Sequence, residues 1–84
     1  MPFADVVRAY CIDNYIIPAR NSGDSVVSIR AGDVHRSLEY KNRLPLVCSA
    51  LGAKIFEETA NVERVSIAGP INGSNAIFTF KIIK

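Results

Sequence analysis

Apolar residues recur at helical spacing through the first two thirds of the chain and alternate at strand spacing near its end. Val6, Val7, Tyr10 and Cys11 make the clearest early stripe, with Phe3 and Asn14 in phase. This spacing predicts a helix over 3–16. Asp5 falls near the positive end of its dipole, and Asp5, Arg8 and Asp13 are expected to face water. Pro18 is expected to stop this helix, because proline lacks an amide proton and pushes the residue before it out of helical backbone. Arg20-Asn21-Ser22-Gly23-Asp24 is a loop by composition. The β-branched run over 25–30 then predicts a short strand with Val27 and Ile29 on one face.

Residues 33–51 hold two short amphipathic runs on either side of a polar break at Lys41-Asn42. Val34, Leu38 and Tyr40 are the apolar points of the first run. Leu44, Val47, Cys48 and Leu51 are those of the second, spaced as one helix face. Two short helices joined by a tight turn make a helix-turn-helix. Asp33, or Ala31-Gly32 before it, opens the first helix. Asn42 is the expected cap of the second, which leaves Pro45 in a first turn that needs no intrahelical amide. Gly52 is its expected end. Residues 53–60 read equally as a continuation or as one further helical turn.

The segments 62–68 and 76–83 both alternate. Val65 and Ile67 fall on one face; Ile77, Thr79, Lys81 and Ile83 oppose Phe78, Phe80 and Ile82. Turn formers fill 69–75 between them, and Asn72-Gly73 is a strong hairpin signal because both residues accept positive φ. The chain is therefore expected to end in an antiparallel hairpin with a polar, mobile tip.

Length and composition narrow this picture. The 84 residues make one domain, and 49% of them are apolar. A chain this short buries only ~60–65% of its unfolded surface, so a second copy would help it. The N-terminal helix is apolar nearly all round at Tyr10, Cys11, Ile12, Tyr15 and Ile16, which makes it the expected homodimer contact. No apolar run approaches the ~18 residues of a membrane span. A basic start followed by an apolar run and a cleavage site is also missing, so a cytoplasmic protein is expected. Cys11 and Cys48 read as buried thiols in a reducing compartment. One histidine without paired cysteine spacing makes no zinc site, and no cofactor is expected. The net charge of +2 is compatible with a nucleic-acid partner without requiring one.

The element order is helix, strand, helix, helix, strand, turn, strand. This order resembles the winged helix-turn-helix superfamily, carried by the helix pair at 33–51, the strand at 26–29 and the hairpin at 62–83. The resemblance implies an α+β fold of three helices with a small antiparallel sheet. It places the short strand in one sheet with the hairpin, the second helix of the pair as the reading helix, and the tip at 70–75 as the wing. The chain also resembles small prokaryotic single-domain proteins with Ala-Gly-Asp-Val-His followed by Asn-Arg-x-Pro-x-Val-Cys, here 31–35 and 42–48. That likeness carries no activity with it.

A DNA-binding role, in a transcriptional regulator or an accessory DNA-binding subunit, follows from the resemblance. Arg43 at the start of the reading helix is the expected base reader, since arginine can grip guanine with two hydrogen bonds. Asn42 and Ser49 are expected to bond bases or phosphates, Arg36 and Lys41 to reach flanking phosphates of double-stranded DNA, and Lys54, beyond the helix end, to add a contact. Against this stand Leu46 and Ala50 on the expected outer face, and the lack of Arg or Lys over 69–75. The alternative is a winged-helix protein–protein module without DNA binding, using Pro45, Leu46 and Ile71 as an apolar patch.

Catalysis is not expected. His35 sits four residues before Glu39 and is expected to pair with it or with a backbone carbonyl. Cys48 has no strand-turn-helix elbow around it. Glu57 and Glu58, adjacent on a helix, point apart, and 69–73 matches no nucleotide fingerprint.

Overall fold

The computed structural model describes residues 3–70 and 73–83. It begins with one continuous helical run: α1 (Phe3–Cys11), a π-helical segment (Ile12–Ile16) and α2 (Ile17–Asn21). The helix is thus longer than the 3–16 expected, and Pro18 lies inside it. The π segment explains this. The Ile17 amide donates to the Ile12 carbonyl, five residues back rather than four. The turn widens, and the ladder is already out of step where the proline's missing amide falls. The Asn14 side-chain amide donates to the Tyr10 carbonyl at 2.9 Å. The run ends where Gly23 takes a left-handed φ of 79°. There Gly23 and Asp24 amides return to the Arg20 and Ala19 carbonyls, a Schellman cap.

Six further elements follow: β1 (Val26–Arg30), α3 (Ala31–Ser37), α4 (Leu44–Gly52), α5 (Lys54–Ala60), β2 (Val62–Ala68) and β3 (Ile77–Ile82). The protein is a small α+β domain with a three-stranded antiparallel sheet. The expected order of helix-strand-helix-helix-strand-strand is corrected by one extra helix, α5. Ala53 takes an extended ψ of 143° and separates α5 from α4. Phe56 and Ala60, one turn apart, are buried and hold α5 on the core. The α3 helix opens directly after β1, at Ala31 rather than Asp33.

The strands run in the order β1-β3-β2. Phe78, Phe80 and Ile82 turn inward from β3, opposite Ile29 and Val27 of β1 and Val62 of β2. Val7, Cys11, Ile16, Val34, Val47, Leu51 and Phe56 close over them, each fully buried. Each such side chain contributes ~1.5–3 kcal/mol by leaving water. The Phe56 and Phe80 rings meet edge-on at 5.1 Å between centroids. The alternation expected in β2 breaks at a bulge between Arg64 and Ser66. Arg64 opposes Phe80 and Ile67 opposes Phe78, so Arg64 and Ile67 share a face. Val65 does not join them as expected; it is extruded and half exposed.

Contacts distant in sequence tie the elements together. Arg8, expected in water, reaches across to α4; its Nε donates to the Ala50 carbonyl at 3.3 Å and its Nη1 pairs with Asp5 at 3.1 Å. Arg20 donates to the carbonyls of Ala60 and Asn61 at the end of α5. Arg64 donates to the Gly52 carbonyl at 2.7 Å. The returning limb of the hairpin tip is fastened to α3. Ala31 and Gly32 amides donate to the Ala76 and Ser74 carbonyls at 2.9 and 3.0 Å. A Cβ on Gly32 would stand 2.6 Å from the Ser74 carbonyl oxygen, so only glycine permits this approach. The tip was expected to be free, but its Ser74–Ala76 side is anchored; Ile71 and Asn72 lie outside the described residues. No described helix is long and apolar enough to cross a membrane.

Candidate nucleic-acid interface

Helix α4 turns Val47, Cys48 and Leu51 into the core, as its spacing predicts. Ala50 is buried too, beneath Arg8, and Leu46 is half-buried against the core. Both were expected on the outer face. The cause is α1, which packs on that side of α4. What α4 leaves exposed is Pro45 and Ser49. Its outer surface is narrower and less greasy than its sequence implied.

The α3–α4 turn is built from two left-handed residues, Glu39 at φ 57° and Asn42 at φ 55°. Asn42 is not the helix cap that was expected. Arg43 holds that position at φ −123°, with no side-chain capping bond. Its carbonyl accepts the Val47 amide at 3.0 Å, and its own amide donates to Nε2 of His35 at 3.1 Å. Among the described residues the bond His35 makes is this one, with neither Glu39 nor a carbonyl as its partner. Accepting at Nε2 requires a neutral ring with its proton on Nδ1.

Aromatic rings hold the same corner. Tyr40 packs edge-on against His35 and Phe3, with centroids 6.2 and 5.7 Å apart. The Arg43 guanidinium lies over the Phe3 ring, 4.4 Å from its centroid. This cation–π contact keeps the charge at the surface rather than quenching it against an acid.

The expected contact residues fall into three groups. Arg36 and Lys41 line one open pocket with Arg30 and His35. Arg36 is 78% exposed and stands 4.0 Å from Asp33; Lys41 is exposed and makes no hydrogen bond or ion pair among the described residues. Asn42 and Arg43 continue the turn beside them, both exposed. Ser49 is exposed on α4 itself. Lys54 is exposed but belongs to α5, beyond the break at Ala53, so α4 does not present it.

No protein-family model, curated protein or solved structure matches the chain.

Two further candidates for chemistry, Cys11 and Glu57, have structural surroundings. Cys11 is fully buried, and burial pushes its thiol up to about 12, which removes the thiolate a nucleophile needs. Glu57 accepts the Arg64 amide at 2.9 Å. Among the described residues no three His, Cys, Asp or Glu side chains gather as metal ligands would. Sequence reading missed Phe3 as the platform for Arg43, since forty residues separate them. It also missed Arg30 and Ser74 as pocket walls. The short loop between two expected helices was the only signal that a cleft would form there.

Proposed function

We propose a winged-helix DNA-binding protein, acting as a transcriptional regulator or an accessory DNA-binding subunit. One observation carries the reading: α4 sinks Val47 and Leu51 into the core while the turn at its start keeps Arg36, Lys41 and Arg43 in solvent. The strand order β1-β3-β2, with β1 joined to the terminal hairpin, supports the winged-helix assignment. In this reading the start of α4 enters the major groove. Arg43 leaves the Phe3 ring to grip a guanine, and Asn42 and Ser49 supply polar contacts. Arg36 and Lys41 neutralise phosphates on one side, with Lys54 as a separate backbone contact from α5. The wing adds little, because 69–75 holds no cation and Asn75 is already bonded to Arg30.

The alternative of a protein-interaction module rested on Pro45, which is exposed, on Leu46, which is half-buried, and on Ile71, outside the described residues. The expected homodimer contact keeps Tyr10, Ile12 and Tyr15 partly exposed. Cys11 and Ile16 belong to the core, and Tyr10, Ile12 and Tyr15 pack on it. Fluorescence anisotropy with a mixed-sequence duplex tests the proposal. Affinity is expected to fall steeply from low to moderate salt, and Arg43→Ala to cost ~1–3 kcal/mol. No detectable binding at low salt would end the DNA reading.

A further inference from the structure

We propose that the pocket beneath the α3–α4 turn binds a small organic phosphate, of about nucleoside-monophosphate size, in a cleft that shares Arg36 and Lys41 with the DNA contact proposed above. The pocket is about 490 Å³, inside the ~300–1,000 Å³ range of small-ligand sites. Its charge favours an anion. Arg30, Arg36 and Lys41 face one lining carboxylate, Glu39. Asp33 is shared behind Arg30 at 3.0 Å and Arg36 at 4.0 Å, and Lys41 is left without a partner among the described residues. With Asp33 counted, three cations stand against two carboxylates; the positive excess favours an anion, and a phosphate monoester brings three strong acceptor oxygens to it. Guanidinium forks and a lysine are the groups that hold such oxyanions.

One wall is set before any ligand arrives. Arg30 is held in one place by Asp33 and by Asn75, which lowers the ordering a ligand must supply. The Gly32–Ser74 backbone bond closes one end. Because His35 uses Nε2 to accept the Arg43 amide, the one other ring nitrogen is a donor, suited to an oxyanion rather than to a cation. Tyr40 and Leu44 add apolar wall that bare phosphate would not use, while the Ser74 hydroxyl and Glu39 carboxylate suit hydroxyls on the ligand body. The ligand class is therefore a phosphate on a hydroxyl-bearing, partly flat body. The pocket does not depend on the DNA reading. If both hold, ligand and duplex compete for Arg36 and Lys41.

Amide NMR titrations with adenosine 5′-monophosphate, adenosine and inorganic phosphate test this. The nucleotide is expected to give saturable shifts at Gly32, His35, Lys41 and Ser74. Lys41→Ala should weaken it about tenfold, the loss of one charge-assisted contact. Lys81→Ala removes the same charge from the far side of β3 and should change affinity less than twofold. Adenosine and inorganic phosphate should each bind at least about tenfold more weakly than the nucleotide. The proposal is overturned if the nucleotide shifts do not saturate, if Lys41→Ala and Lys81→Ala act alike, or if inorganic phosphate binds as well as the nucleotide. Duplex binding measured on the same samples keeps the two readings apart, since either can fail while the other stands.

Discussion

Nε2 of His35 accepts the backbone amide of Arg43 across 3.1 Å, eight residues along the chain. The imidazole thereby does for the N-cap amide what the N3 glutamate or glutamine of a capping box usually does. It satisfies an amide at the mouth of α4 and fixes the direction in which the turn enters that helix. The Nδ1–H tautomer is expected to dominate over Nε2–H in long-range nitrogen-15 spectra. An Nε2–H signal there would contradict the bond. Replacing the ring while keeping its bulk, His35→Phe, should cost ~0.5–1.5 kcal/mol in urea unfolding, the usual worth of one such bond.

Glu39 stands where helices prefer glycine. Glu39 and Tyr40 amides return to the Arg36 and His35 carbonyls, the same cap that ends α2 with Gly23. Its φ of 57° crowds a Cβ that Gly23 lacks. Glu39→Gly is expected to stabilise the protein by up to ~1 kcal/mol, and Glu39→Val to destabilise it. Chemical denaturation would read both, and a destabilising glycine would show that the left-handed turn is not formed in solution.

Gly32 fixes the hairpin to the helix pair. An alanine there would set its Cβ 2.6 Å from the Ser74 carbonyl oxygen and 3.0 Å from the Ser74 Cβ. Backbone must then shift, so Gly32→Ala is expected to cost ~1–3 kcal/mol. Hydrogen exchange at the Gly32 and Ala31 amides should accelerate by more than the global loss explains. Equal acceleration across the whole domain would mean that the limb is not locally clamped.

Burial of Cys11 has a consequence at alkaline pH. Its thiol is raised from 9.0 to about 12 by desolvation alone. The folded state therefore keeps a proton that the unfolded state sheds above about pH 9. The stabilising effect is complete below that pH and is lost between 9 and 12, at no more than ~1.4 kcal/mol per pH unit. Tyr15 is raised too, first by desolvation and then by the nearby Tyr10, Asp33 and Cys11, and adds to the same alkaline limb. Urea unfolding from pH 8 to 11 should show a falling midpoint, with a shallower fall in Cys11→Ala. Native Cys11 should also resist alkylation that proceeds readily in denaturant. An identical pH slope in both proteins would remove the argument.

The inward residues of α4 and β3 were legible because each repeats at its own period. Val47 and Leu51 lie four apart, and Phe78, Phe80 and Ile82 two apart, all on one side. The helix pair, the short strand before it and the closing hairpin could be placed on that signal. The contact residues were legible only as exposed cations near a helix start. Their grouping was not: Arg36 and Lys41 share a pocket, whereas Lys54 sits on a helix the spacing left undecided.

Local spacing alone thus determined most of the elements and the stripes of α4 and β3 that they bury, because near neighbours set both helical and strand periods. Tertiary contact decided the rest. Pro18 stays within a helix because a π turn absorbs it, and Ala50 is covered because α1 crosses α4. The β2 bulge turns Val65 out of line, and Arg43 rests on Phe3 with its amide on His35. Contacts such as Arg8 with Ala50 or Arg43 with Phe3 join residues tens of positions apart, and a period measured over a few neighbours holds no information about such partners.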